Sequence, residues 1–222
     1  MTRPALLFDL DGTMLLTDDI HRDVFADMMK PYGIDITEDF YMAHVHGRLN
    51  VDFFAEFLPD LDDPQGMSDL KESRFRDRLP FPYPAMQGVE QLIARAQQSG
   101  WALAIVTNAN RLNAEAMLAA IGLRHAFETV IIGEECTRGK PDPEPYNAAL
   151  RALDVDPDRA LAFEDSPSGL RAAVGSGAYT VGLRSGLTDS VLRAHGAHAT
   201  IQDFSDPALE AILRRMTGET EQ

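Results

Sequence analysis

The chain has 222 residues, an ordinary 45% apolar share and a formal charge of −15. An acid excess of that size repels nucleic-acid phosphates and anionic membranes, so neither is an expected partner. It leaves room for a small phosphorylated substrate wherever a few cations and a metal ion gather locally. No apolar run approaches the roughly 18–20 residues of a membrane-spanning helix, and the four apolar residues before Asp9 are too few for a secretory leader. Cys136 is the single cysteine, which excludes an internal disulfide and makes a reducing cytoplasm the expected compartment.

The first predicted element is a strand, Ala5 to Phe8, a continuous apolar run that stops at Asp9-Leu10-Asp11-Gly12-Thr13. From about Leu16 to Tyr83 only helical patches appear: Ile20, Val24 and Met28, then Val51, Phe54, Ala55 and Leu58. Pro80, Pro82 and Pro84 close that segment. Val89, Leu92, Ile93 and Ala96 then repeat at helical spacing up to the stop signal Gly100. Ala102 to Val106 and Val130 to Ile132 read as buried strands. A helix carrying Tyr146, Ala149, Leu150 and Leu153 follows, led in by Pro143 and Pro145. Ala160 to Phe163 is the fourth strand, and Leu170, Ala173 and Val174 mark a short helix that ends near Gly175 and Gly177. Tyr179 to Leu183 is the fifth strand; Leu209, Ile212, Leu213 and Met216 form the last helix, and Thr217 to Gln222 is expected to fray.

Strand alternating with helix predicts an α/β fold, a doubly wound parallel sheet. Residues 1–15 and 84–222 form its core, and residues 16–83 form an inserted all-helical cap. Such sheets bind ligands outside the carboxyl ends of their strands. There the sequence delivers Asp9 and Asp11, Thr107-Asn108, Lys140 in a Gly-Lys-Pro loop, and Glu164-Asp165-Ser166. Carboxylates for a hard cation, a hydroxyl and an amide for phosphate oxygens and one lysine together describe a phosphoryl-transfer site. Mg²⁺ takes oxygen ligands, usually one or two carboxylates with water and substrate phosphate. Asp9 and Asp165 are the expected direct ligands, Asp11 offers its backbone carbonyl, and Glu164 a contact through water or from behind the direct ligands. Thr107, Asn108 and Lys140 are the expected phosphate cradle. Asp9 is the expected nucleophile and Asp11 the general acid and base.

Asp9-Leu10-Asp11-Gly12-Thr13, Thr107-Asn108, Lys140-Pro141 and Glu164-Asp165-Ser166 stand in the order of the four signature motifs of the haloacid dehalogenase superfamily, which the chain resembles over nearly its whole length. The loops around Lys140 and Asp165 resemble the branch of beta-phosphoglucomutase and small-metabolite phosphatases, in which a helical cap follows the first strand. The resemblance implies Mg²⁺-dependent hydrolysis of a small phosphomonoester, a sugar or polyol phosphate, by a cytoplasmic monomer. It also implies cap contacts to substrate from His21 and from Arg48 in Gly47-Arg48, with Thr17 at the hinge; Leu16 departs from the Asp of many relatives. The alternatives are a phosphosugar mutase with the same aspartyl-phosphate chemistry, and a non-catalytic module that binds phosphate and Mg²⁺. A dehalogenase would not need Asp11, and for a phosphonate hydrolase the cap offers only Lys30 and Lys71, neither in a recognisable motif. His44 and His46, two residues apart, do not share a helix face and read as surface residues. His195, His198 and Cys136 receive no role. Gly175-Ser176-Gly177 follows a helix instead of preceding one, which excludes a phosphate loop.

Overall fold

Continuous apolar runs form the centre of a six-stranded parallel sheet. The computed structural model describes residues 3–217; the expected fraying of the tail falls mostly on residues 218–222, outside them. The strands are β1 (Ala5–Phe8), β2 (Ala102–Thr107), β3 (Thr129–Ile132), β4 (Ala160–Glu164), β5 (Tyr179–Leu183) and β6 (Ala199–Ile201). They lie in the order β3-β2-β1-β4-β5-β6, a doubly wound α/β sheet with β1 in the middle. Every residue of β1, β2 and β4 is buried, as parallel strands covered by helices on both faces require.

The two faces of the sheet differ in side-chain size. One carries Ala5, Leu7, Ala102, Ala104, Ala160 and Ala162 and packs on Tyr146, Ala149, Leu150 and Leu153 of helix α7 (Glu144–Leu153). Small strand residues let that helix and its large side chains approach the backbone closely. The opposite face is aromatic: the ring of Phe8 stacks on Phe163 with centroids 5.0 Å apart and meets Phe204 at 5.7 Å. In-register pairing of Phe8 with Phe163 and of Leu7 with Ala104 and Ala162 brings the ends of β1, β2 and β4 level with one another. That alignment positions the functional residues.

Between Thr17 and Phe81 the chain folds as four α-helices: α1 (Asp18–Met29), α2 (Glu38–His44), α3 (Asn50–Phe57) and α4 (Pro64–Arg78). The caps of α2 and α4 are encoded locally: the side chain of Thr37 accepts from the Phe40 N–H, and Asp63 accepts from Gly66 N–H ahead of Pro64. The core of this unit is aromatic, with Phe25, Phe53, Phe54 and Phe75 buried. Residues up to Leu16 and from Pro82 onward make one compact unit, and Thr17–Phe81 make the other.

The remaining helices belong to the sheet unit: α5 (Val89–Gln98), α6 (Arg111–Ala120), α8 (Pro167–Gly175), α9 (Asp189–Ala194) and α10 (Ala208–Thr217). Sequence periodicity did not single out α6, α9 or β6. Among the described residues no helix is long and apolar enough to cross a membrane.

Candidate active site

Immediately after β1 the chain makes a tight turn. The Asp9 N–H donates to Phe163 O at 2.9 Å, Gly12 N–H to Leu15 O at 2.8 Å and Met14 N–H to Leu10 O at 2.8 Å. Gly12 has φ +81°, and a Cβ there would collide with the Asp165 carboxylate; glycine satisfies both demands. Buried Thr13 donates its hydroxyl to Asp165 Oδ1 at 3.2 Å. The turn after β1 is thereby tied to the end of β4.

Carboxylate oxygens of Asp9, Glu164 and Asp165, all buried, lie within 4.8 Å of one another. One ammonium sits among them. Lys140 Nζ donates to Asp9 Oδ1 at 2.6 Å, to Glu164 Oε1 at 2.6 Å and to the Val106 carbonyl at 2.7 Å. An ammonium has three protons, and each has an acceptor. Burial lowers the Lys140 pKa less than Asp9 and Glu164 raise it, so the net shift is upward. Burial pushes Asp9 up to about 7, aided by the charges of Glu164 and Asp11 and opposed by Lys140. A divalent cation beside it would draw that value back down. Three crowded carboxylates against one ammonium are an oxygen donor set that fits Mg²⁺. Asp11, half-buried, does not contribute its carboxylate to this trio, although its charge acts on Asp9.

Glu164 is entirely buried at the last position of β4. Besides Lys140 it accepts from the Tyr146 hydroxyl, 2.7 Å from Oε1. Its carboxylate lies against Gly169 in the first turn of α8, where a Cβ would overlap it. Ser166 caps that helix by accepting from Gly169 N–H at 3.0 Å.

Thr107 ends β2, and its hydroxyl accepts from Ala109 N–H at 3.0 Å. The side chain of Asn108 closes on the lysine loop. Its Oδ1 accepts from the Lys140 N–H and its Nδ2 donates to the Lys140 carbonyl, both at 3.2 Å. Both poles of the amide thus clamp the lysine loop. Gly133 leaves the room for it, since a Cβ there would strike Asn108 Oδ1.

A model of the haloacid dehalogenase-like hydrolases matches residues 6–183, a span that contains every one of these groups. The chain belongs to that family. Over 80% of its length this hydrolase is 32% identical to validoxylamine A 7'-phosphate phosphatase of Streptomyces hygroscopicus subsp. limoneus, covering 84% of that protein. Over 96% it is 32% identical to the protein CbbY of Rhodobacter capsulatus, covering 98% of it. A crystal structure of a CbbY variant from Rhodobacter sphaeroides, in complex with xylulose-(1,5)bisphosphate, superposes with a TM-score of 0.78 at 28% identity, over 92% of this chain and 96% of that one.

In the helical unit of the hydrolase, His21 and Arg48 are both engaged. The His21 ring stacks on Phe75, centroids 4.0 Å apart and 3° from parallel. Its Nδ1 lies 2.7 Å from Nζ of Lys71; an ammonium only donates, so Nδ1 is the acceptor and Nε2 carries the proton. Lys71 is 4% exposed and also pairs with Glu72 at 3.0 Å. Arg48 donates to the Asp52 carbonyl at 2.9 Å and pairs with Glu56 at 2.7 Å, both on α3. His44 and His46 do not form a pair: His46 lies 3.7 Å from Asp18 and the His44 ring packs on Phe40 and Phe57.

Sequence reasoning gave Tyr146 and Lys71 no role in the site. Tyr146 was legible only as one residue of an apolar helix stripe. Lys71 lies 50 residues from His21 and belongs to no short motif; a lone lysine four positions before a buried aromatic carries no signal by itself.

Proposed function

We propose that this hydrolase is a phosphoric monoester hydrolase that acts on small phosphorylated metabolites of the sugar or polyol class, with Mg²⁺ held by Asp9, Asp165, Glu164 and the backbone carbonyl of Asp11. One observation carries the reading: three buried carboxylates converge around one lysine at the carboxyl ends of β1 and β4. The names of its relatives point the same way, since validoxylamine A 7'-phosphate and xylulose-(1,5)bisphosphate are both phosphate-bearing compounds.

In this reading, a carboxylate oxygen of Asp9 attacks phosphorus while the bond from phosphorus to the leaving oxygen breaks, giving an aspartyl phosphate. Asp11 gives its proton to the departing alkoxide. The same carboxylate then takes a proton from water, whose oxygen attacks phosphorus as the Asp9 oxygen leaves, and inorganic phosphate is released. Lys140 keeps Asp9 oriented and offsets carboxylate repulsion; the Thr107 hydroxyl and the backbone of the turn after β1 receive phosphate oxygens. Bound Mg²⁺ supplies positive charge to the phosphoryl oxygens and to the nucleophile. His21 and Arg48 are the proposed cap contacts to substrate, and the enzyme is a cytoplasmic monomer.

The test is phosphate release from a panel of phosphorylated sugars, polyols and carboxylates, with Mg²⁺ and with EDTA. The reading expects Mg²⁺-dependent release from a narrow set. Isomerised sugar phosphate without release would replace it with the mutase. Silence in both assays, with phosphate still bound, would leave a module that only binds.

A further inference from the structure

The Tyr146 hydroxyl has no part in the mechanism above, yet it is fully buried beside the reacting groups. Its ring belongs to the stripe of α7 that packs against the alanine-rich sheet face. Its oxygen lies 2.7 Å from Glu164 Oε1, and the ammonium of Lys140 stands 5.2 Å from its ring centroid. A phenylalanine would fill the same volume. The hydroxyl therefore needs its own reason, because burying an O–H is unfavourable unless it finds a partner.

We propose that Tyr146 is a positioning residue that holds the Glu164 carboxylate plane so that its second oxygen stays available to a divalent cation. Glu164 Oε1 accepts two donors, Lys140 Nζ at 2.6 Å and Tyr146 Oη at 2.7 Å. Oε2 has only the Ser166 hydroxyl at 3.5 Å among the described residues, the outer limit of a hydrogen bond. Two strong donors on one oxygen spend its lone pairs and hold the carboxylate plane; the lone pairs of the other remain for a cation. Gly169 completes the constraint. The carboxylate lies against its Cα, so the plane cannot rock toward α8. Without the phenol, Lys140 alone holds that oxygen, and the carboxylate plane is freer to turn about the last torsion of Glu164, which carries the second oxygen out of line with a cation.

The inference rests on the reading that the carboxylate trio holds a divalent cation, and the experiment separates the two. Mn²⁺ binding to metal-free protein is followed by loss of the free Mn²⁺ electron paramagnetic resonance signal, for the parent, Tyr146→Phe and Leu153→Val. The last variant trims the same stripe of α7 without touching Glu164. The expected result is a dissociation constant raised about tenfold in Tyr146→Phe, the low end for groups that orient a metal ligand, with a melting temperature of the metal-free protein no lower than that of Leu153→Val. Leu153→Val should bind Mn²⁺ as the parent does. Equal affinity in Tyr146→Phe and the parent overturns the proposal, as does a matching loss in Leu153→Val, which would make the effect one of core packing. A parent that binds no Mn²⁺ overturns instead the cation reading on which it depends.

Discussion

Replacing Lys140 with Met should do more damage to the metal-free protein than any surface ion pair could. The Lys140 side chain is 3% exposed, and its two carboxylate partners are 11% and 0% exposed. Solvent cannot take over from the ammonium. Removing one partner of a buried ion pair costs about 3–5 kcal/mol, because the remaining charge stays buried without compensation. Here one removal strands two carboxylates and the Val106 carbonyl, so the upper half of that range applies. At about 2–4 °C per kcal/mol for a chain of this length, the melting temperature should fall by about 8–20 °C at pH 8 in EDTA. The loss should shrink at pH 5, where the carboxylates of the variant can take up protons. Mg²⁺ should recover part of the loss, since a cation that binds only the folded trio stabilises by mass action. Thermal melts at both pH values, with and without metal, provide the assay. A melting temperature within about 2 °C of the parent at pH 8 would refute the claim that Lys140 holds the cluster together.

Asp11→Asn should slow turnover by about 10²–10⁴-fold, the usual range for a lost general acid and base. It should also accumulate phosphate on Asp9, visible in the intact mass; free turnover would remove Asp11 from that role. Gly169→Ala, a change that favours an exposed helix by about 1 kcal/mol, should instead destabilise by about 1–3 kcal/mol, because the new methyl meets the Glu164 carboxylate; a higher melting temperature contradicts this. Asp9 holds its proton more tightly folded, at about 7, than at its ordinary 3.8. Its contribution to the stability of the metal-free protein is therefore complete below about pH 4 and lost as the pH rises through about 7. Melts in EDTA should show that decline more steeply in the parent than in Asp9→Asn, and parallel curves would refute it.

The strand ends were readable because the apolar runs stop there abruptly. Phe8 and Phe163 are followed directly by carboxylates that stay buried, Glu164 still within β4. The same rule failed at the edge. β6 is three residues long with Thr200 at its centre, too short and too polar to stand out as a run. α6 was missed because its first turn reads Arg111-Leu112-Asn113, with Leu112 60% exposed and Asn113 buried, which inverts the expected stripe. Its start signal was nonetheless present: Asn110 accepts from the Asn113 N–H at 2.9 Å. Partners of polar side chains were not legible at all. Asn108 looked like a phosphate ligand by position, yet its amide closes on Lys140, 32 residues away. Tyr146 and Glu164 are 18 residues apart and meet only because α7 packs on the sheet face that carries Ala160 and Ala162 of β4.

The arrangement also explains why one lysine is not enough. Lys140 divides three protons among Asp9, Glu164 and a backbone carbonyl, while Asp165 receives its support from Thr13, a neutral hydroxyl. Three carboxylates against one ammonium leave the cluster short of positive charge, and burial, with the charge of Glu164 added to it, raises the Asp9 pKa to about 7. A nucleophile half protonated at neutral pH would be a poor one. Replacing Thr13 or Tyr146 with a cation would repair the imbalance permanently, but it would also fill the place of a metal with a group that cannot leave or exchange. Neutral donors at these two positions hold the carboxylates in place without neutralising them. The residual negative charge is then what would attract a divalent ion, and such an ion would complete the ionisation of Asp9 that Lys140 only begins.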